Sequence, residues 1–187
     1  MPKRSSRRRS PSPNKLSVQR AASGNSWVLS HPRAVRDCAE DIEEVRQMIE
    51  AGEADIAIDE LRWLLGTCHE MIEAHFLLGK LAVEVDNDLP LGRGHFGTGY
   101  QLGLQAWRRA DRPKPLPALH PANRHFFDAG RGLAWCLHEL DKTAMAREVL
   151  QELLRLDPTD PLGIAAWLDE MATAGKTIVD VGSLFRD

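Results

Sequence analysis

No stretch of this sequence approaches the ~20 consecutive apolar residues of a membrane-spanning helix, and no apolar segment follows the charged amino terminus. Cysteine is also scarce: Cys38, Cys68 and Cys136 are odd in number and lack CxxC spacing. A disulfide framework is therefore not indicated, and the thiols suit a reducing interior. These absences predict a cytoplasmic protein that is neither inserted into membranes nor secreted.

Acidic residues are missing from residues 1–36, which carry nine Lys or Arg, whereas the other 151 residues hold 15 bases against 27 acids. Residues 1–30 are also rich in Arg, Ser and Pro and have few apolar side chains to bury. This composition predicts a disordered basic arm. Clustered bases gain affinity for polyanions by displacing counterions, so weak contact of the arm with nucleic acid stays open as an alternative.

From His31 onward, apolar residues recur every three or four positions, the spacing of helices packed on one side. The pattern predicts an all-α domain over residues 31–174, interrupted by a proline-rich loop over residues 110–123. No β-rich run stands within this domain. A short tail over residues 175–187 follows, and we expect its apolar side chains to cover an exposed helix edge.

Residues 91–100, LGRGHFGTGY, match the G-x-G-x-x-G of nucleotide-binding loops. A protein-kinase loop also needs flanking strands, a Lys in the next strand, and downstream HRD and DFG segments, and the sequence contains none of these. Instead, four residues share one helical face, on which small side chains let two helices approach closely: Gly92, Phe96, Gly99 and Gly103. The segment therefore predicts a helix, not a phosphate-binding loop.

This glycine-rich helix is expected to pack against the Leu78-Gly79 segment of the preceding helix. Gly94 and Gly97 lie off the shared face, and each glycine costs a helix about 1 kcal/mol relative to alanine. We therefore expect these two glycines to admit a second element, the proline-rich loop or the following helix, to the other side.

A repeat emerges when the helices are aligned on one another. Ala57 and Gly92 are 35 residues apart, and Gly79 and Ala134 are 55 apart because the proline-rich loop lengthens the interval. Over residues 35–174 the chain resembles the tetratricopeptide repeat family, whose repeats are helix pairs of ~34 residues. The resemblance is best in the third pair, at Leu133-Ala134, Ala146, Leu150 and Asp157-Pro158. It implies an α-α superhelix of about three helix pairs with a C-terminal capping helix.

In that family the first helix of each pair lines an inner groove, and the groove binds a protein or peptide partner. The resemblance implies six partner-binding residues: Arg46 from the first pair, Phe76 and Lys80 from the second, and Arg131, Trp135 and His138 from the third. The bases would donate to carboxylates and the aromatic side chains would serve as anchors. An alternative stays open, in which the bases only pair with neighbouring Glu on a solvated face.

We expect no catalytic residue, no metal and no cofactor, because no Ser-His-Asp or Cys-His signature is present. Cys136 and His138 are two apart on a helix and point in different directions, so they cannot clamp a metal ion by themselves. His31, His120 and His125 border loops and are expected at the surface.

Trp63 and Trp167 are expected in the core. The predicted function is a non-catalytic scaffold or adaptor for a protein or peptide partner. Two alternatives remain: a nucleic-acid-associated adaptor tethered by its basic arm, and a non-catalytic subunit of an enzyme complex.

Overall fold

The structure is a computed structural model that describes residues 15–173, so the predicted tail and the first fourteen residues of the predicted arm lie outside the described residues. A two-stranded hairpin precedes eight helices. In chain order the elements are β1 (Ser17–Arg20), β2 (Trp27–Ser30), α1 (Arg33–Asp37), α2 (Ala39–Glu50), α3 (Ala54–Thr67), α4 (Ile72–Glu84), α5 (Leu89–Arg109), α6 (Pro121–Glu139), α7 (Thr143–Leu156) and α8 (Ile164–Thr173). The prediction of a mostly helical body is confirmed.

The helices pack in sequence order, each of α2 to α7 against the next, and α4 also packs against α6. Two apolar clusters hold them together. One joins α2, α3 and the inner side of α4, around Val45, Leu61 and Leu64, which have no exposed surface. The other joins α5, α6, α7 and the hairpin around Phe126 and Phe127. Helix α4 contributes to both clusters, because Ile72 lies in the second cluster and Leu77 in the first.

The glycines of α5 lie where the helix meets its neighbours most closely. A Cβ atom added to Gly92 would stand 2.5 Å from Val83 of α4, and one added to Gly103 would stand 2.2 Å from Phe126 of α6. On α4, a Cβ at Gly79 would stand 2.7 Å from the Phe96 ring. Such distances leave no room for even a methyl group, so these glycines set the helix separation. The predicted helix against Leu78-Gly79 is confirmed.

The predicted role of Gly94 and Gly97 is wrong. A Cβ on Gly94 would meet nothing within 4 Å, and one on Gly97 would meet only Leu133, at an ordinary 3.7 Å. These two glycines face a gap between helices, so no internal packing compensates for their cost to the helix.

The prediction of disorder needs correction for residues 17–30. Strands β1 and β2 pair in antiparallel fashion, with Val18 opposite Leu29, and Leu29 is 2 % exposed. The hairpin packs on α5 and α6. Its order comes from partners far along the chain, which the local composition of an Arg- and Ser-rich segment does not reveal.

Asn123, in the first turn of α6, is the main anchor of that hairpin. Its side chain is fully buried, accepts a hydrogen bond from Leu29 N at 2.9 Å, and donates to Trp27 O at 3.2 Å and Pro117 O at 2.9 Å. Trp27 N also donates to Pro115 O at 2.9 Å. The hairpin and the proline-rich loop are thus held by one buried amide.

None of the helices within residues 15–173 is long and apolar enough to cross a bilayer.

Candidate functional site

A cleft of about 470 Å³ opens between α4 and α6, and we call it the inner cleft. Four of the six predicted partner-binding residues line it: Phe76, Lys80, Arg131 and Trp135. They meet there because α4 and α6 lie side by side, and positions four residues apart share a helical face. The remaining lining residues are Val83, Glu84, Phe96, Asp128, Gly132 and Trp167.

Four aromatic side chains line the inner cleft: Phe76, Phe96, Trp135 and Trp167. Phe96 of α5 lies beneath Gly132, where an added Cβ would stand 2.7 Å from the ring. The centroids of Phe76 and Phe96 are 6.1 Å apart, within the range of favourable ring pairing. Trp135 remains 38 % exposed and Trp167 is half-buried, so both rings offer surface to a ligand.

The charges around the inner cleft differ in how they are paired. Lys80 Nζ lies 3.7 Å from Glu84, and the Asp128 carboxylate lies 3.7 Å from Arg124 Nε. Burial raises the pKa of Asp128 above its ordinary value. Arg131 forms no ion pair within residues 15–173. Arg131 therefore offers the cleft a guanidinium that has no ion-pair partner within the described residues, and a guanidinium suits bidentate contact with a carboxylate.

Arg46 does not reach the inner cleft. Its guanidinium pairs with Glu73 of α4 and with Glu43 one turn earlier in α2. It lines a separate cavity of about 390 Å³, to which His31 and Val35 contribute from the segment that follows the hairpin, and we call this cavity the filled end because its arginine is already paired. The sequence predicts that Arg46 donates to a carboxylate of a partner, but two of its guanidinium nitrogens already donate to Glu43 and Glu73 of the same chain.

His125 lines the filled end and also contacts two residues of the inner cleft. Its Nε2 is 3.4 Å from the Glu73 carboxylate, its Nδ1 is 3.8 Å from that of Asp128, and its ring centroid is 5.8 Å from that of Phe76. Burial lowers the pKa of His125 below its ordinary value, although Glu73 and Asp128 oppose the shift. Burial lowers the pKa of His31 as well, and His31 Nε2 lies 2.9 Å from Ala122 O. The expectation that His31 and His125 are simple surface residues is therefore wrong.

His138 is not among the residues that line the inner cleft. It is half-buried in the last turn of α6, with Nδ1 3.4 Å from Thr143 Oγ1 at the start of α7. The prediction placed it one turn beyond Trp135, where α6 has already passed the cleft. Within residues 15–173, no group of three or more His, Cys, Asp or Glu is arranged to hold a metal ion.

The core placement is wrong for Trp63 and holds in part for Trp167, which is half-buried and packs against the core cluster. Trp167 of α8 lines the inner cleft, and Trp63 of α3 is 59 % exposed. Trp167 could not be assigned to the cleft from its own helix, because the assignment depends on how α8 packs after α7. A sharper signal was available for Trp63: it lies seven residues after Ile56, off the buried stripe of Ala57, Leu61 and Leu64.

Comparison with protein-family models gives no match, and neither curated proteins nor solved structures match the chain. The site is therefore interpreted from its own residues.

Proposed function

We propose that this protein is a non-catalytic scaffold or adaptor that binds a segment of a partner protein in the inner cleft. The observation that carries the proposal is the convergence of Phe76, Lys80, Arg131 and Trp135 on one opening of about 470 Å³. A mostly apolar concavity with a few convergent polar groups is the usual form of a binding site.

The arrangement of the helices supports a tetratricopeptide-like reading of this site. Helix α4 packs on both α5 and α6, as expected if α4 and α6 are the first helices of successive pairs lining an inner groove. Small residues on both helices also allow close approach to α5. Gly79 of α4 and Gly132 of α6 both lie against the ring of Phe96, at 2.7 Å for an added Cβ.

The chemistry of the inner cleft favours a peptide that combines a large apolar side chain with a nearby carboxylate. Phe76, Trp135 and Trp167 offer partly exposed rings to the apolar group, and buried aromatic anchors commonly dominate interface energetics. Arg131 and Lys80 offer donors to the carboxylate. Asp128 lies beside Arg124 and His125 and forms no ion pair with Arg131 within residues 15–173.

Selection from a random peptide library tests this proposal. The immobilised full chain should enrich peptides with an aromatic or large aliphatic residue within a few positions of Asp or Glu. An enriched peptide should bind the double variant Arg131→Ala/Trp135→Ala at least tenfold more weakly, since loss of one anchor commonly exceeds 1.4 kcal/mol.

The matched control is Arg33→Ala/Leu91→Ala, which removes one exposed arginine and one exposed apolar side chain outside the cleft. It should bind the selected peptides as the wild type does. If the enriched peptides bind both double variants with equal affinity, the binding site lies elsewhere and the proposal is wrong.

A further inference from the structure

Helix α3 presents an apolar strip to solvent. Ile56 and Trp63 lie seven residues apart, two helical turns, and are 56 % and 59 % exposed. Asp59 and Glu60 flank the strip on its two sides, and the exposed Asp55 lies one turn before Asp59. Arg62 pairs with Asp59 at 3.2 Å, so the three acids of α3 outnumber its one base. The outer face of α3 is therefore apolar at its centre and acidic around it, the composition of a helix that packs against a basic, partly apolar surface.

A second concavity, of about 920 Å³, runs between α5 and α7, and we call it the outer groove. Leu133 and Leu137 of α6 form its floor, and the half-buried Leu102 and Val149 and the exposed Met145 line its walls. Gly94 and Gly97 belong to the wall formed by α5, where the absence of side chains keeps the groove open.

The outer groove carries charge opposite to that of α3. Arg93 and Lys142 lie toward one end and Arg108 toward the other, and none of the three forms an ion pair within the described chain. Glu152 is held by Arg155 at 2.8 Å, so this pair contributes little net charge, and the exposed Glu148 offsets only one of the three unpaired cations. The groove is net positive, whereas the outer face of α3 is net negative.

We propose that the outer groove binds the outer face of α3 from a second copy of this chain. Ile56 and Trp63 would enter the apolar centre of the groove, while Asp59 and Glu60 would meet the cations of its rim. The contact joins two different surfaces, so repetition yields a ring where the rotation between copies closes and an open filament where it does not; the two-membered ring is a dimer with two equivalent contacts.

A second copy is favoured over an unrelated helix because both complementary surfaces belong to one chain. Every molecule that offers the exposed α3 strip also offers the groove, at the same concentration. Neither surface is covered by any part of residues 15–173: the strip remains exposed, and a Cβ on Gly94 would meet nothing within 4 Å. The contact is separate from the inner cleft, whose lining residues it does not share.

Sedimentation of the full chain over a wide concentration range tests the proposal. The wild type should pass from monomer to a larger species as concentration rises, and Trp63→Ala should shift that transition to at least tenfold higher concentration. Leu119→Ala is the matched control, because Leu119 is 64 % exposed and lies outside both surfaces. It should associate as the wild type does, and thermal melts should show all three proteins folded.

A charge-exchange experiment identifies the two surfaces. The first variant, Arg93→Glu/Lys142→Glu, makes the groove net negative, and the second, Asp59→Lys/Glu60→Lys, makes the α3 face net positive. Each variant alone should be monomeric where the wild type associates, because like charges then oppose each other. A mixture of the two should associate again, since each copy offers the complement of the other.

Several outcomes would overturn the proposal. A wild type that stays monomeric at the highest attainable concentration rules out self-association. Association that survives Trp63→Ala unchanged places the contact elsewhere. A mixture that stays monomeric, although both variants are folded, shows that α3 and the outer groove do not meet.

Discussion

The inner cleft and the filled end differ in how their arginines are paired, although the sequence predicts one groove that includes both. At the inner cleft, Arg131 is unpaired within the described chain and the aromatic side chains remain accessible. At the filled end, Arg46 pairs with Glu73, and His31 is one of the residues that line the cavity. The difference teaches that the position of a residue on its helix sets the face on which it lies, whereas its neighbours from other elements decide whether its charge is already paired.

The filled end depends on the segment from the hairpin to α1, so the largest expected effect comes from releasing that segment. Replacing the buried Asn123 by Leu keeps a similar volume but removes the amide that binds Leu29 N, Trp27 O and Pro117 O. Buried backbone groups left without partners are costly, so Asn123→Leu should lower the free energy of unfolding by about 3 kcal/mol in urea titrations.

The comparison variant for that measurement is Arg131→Ala, at the inner cleft. Its side chain is exposed and unpaired within the described residues, so the free energy of unfolding should change by no more than about 0.5 kcal/mol. If Asn123→Leu proves equally mild, the hairpin contributes little to the fold, and the distinction between an open and a filled end loses its structural basis.

A smaller effect is expected at the floor of the inner cleft. Gly132→Ala places a methyl group 2.7 Å from the Phe96 ring, and Phe96 cannot retreat because it also packs on Gly79. Overpacking of this kind costs about 1–3 kcal/mol, so the urea midpoint should fall.

Gly94→Ala, on the outer groove, should have the opposite sign. Its Cβ meets nothing within 4 Å, and alanine is a better helix former than glycine by about 1 kcal/mol, so the urea midpoint should rise. A fall in the midpoint for Gly94→Ala would mean that α5 has a neighbour at this position that the structure does not show.

Much of this fold could be predicted because its information is local. The stripes that bury Val45, Leu61, Leu64 and Leu150 repeat with the helical period, and apolar spacing is the strongest sequence signal of helix faces. The glycine-bearing face of α5 could also be predicted, since residues at i, i+4, i+7 and i+11 share one side of a helix.

The rest depends on contacts between distant residues. The hairpin is fixed by Asn123, which lies 94 residues from Leu29, so its own composition favoured disorder. Trp167 reaches the inner cleft only through the packing of α8 on α7. The prediction that four residues share one surface agrees with the lining of the inner cleft: Phe76, Lys80, Arg131 and Trp135. Arg46 and His138 lie outside that cleft, beside Glu73 and Thr143, and the sequence pattern does not reveal these neighbours. Whether the basic arm binds nucleic acid stays a prediction.

The smallest expected effect concerns pH, and it separates the two ends because His31 and His125 line the filled end, whereas His75 and His95, whose pKa burial also lowers, line neither cavity. Burial lowers the pKa of His125 and of His31 below their ordinary value of 6.5. The unfolded chain therefore binds more protons than the folded chain below pH 6.5, and stability falls as pH decreases through that value toward the lower folded pKa.

The wild type should accordingly lose stability between pH 7.5 and pH 5.5, measured as the urea midpoint, and His125→Gln should lose less. His31→Gln/His125→Gln should show the shallowest dependence. Trp135→Ala changes the inner cleft, which has no histidine among its lining residues, so it should keep the wild-type slope. Equal slopes for the wild type and the double histidine variant would mean that acid acts on other groups. In that case the burial of His31 and His125 would not be what distinguishes the filled end from the open cleft.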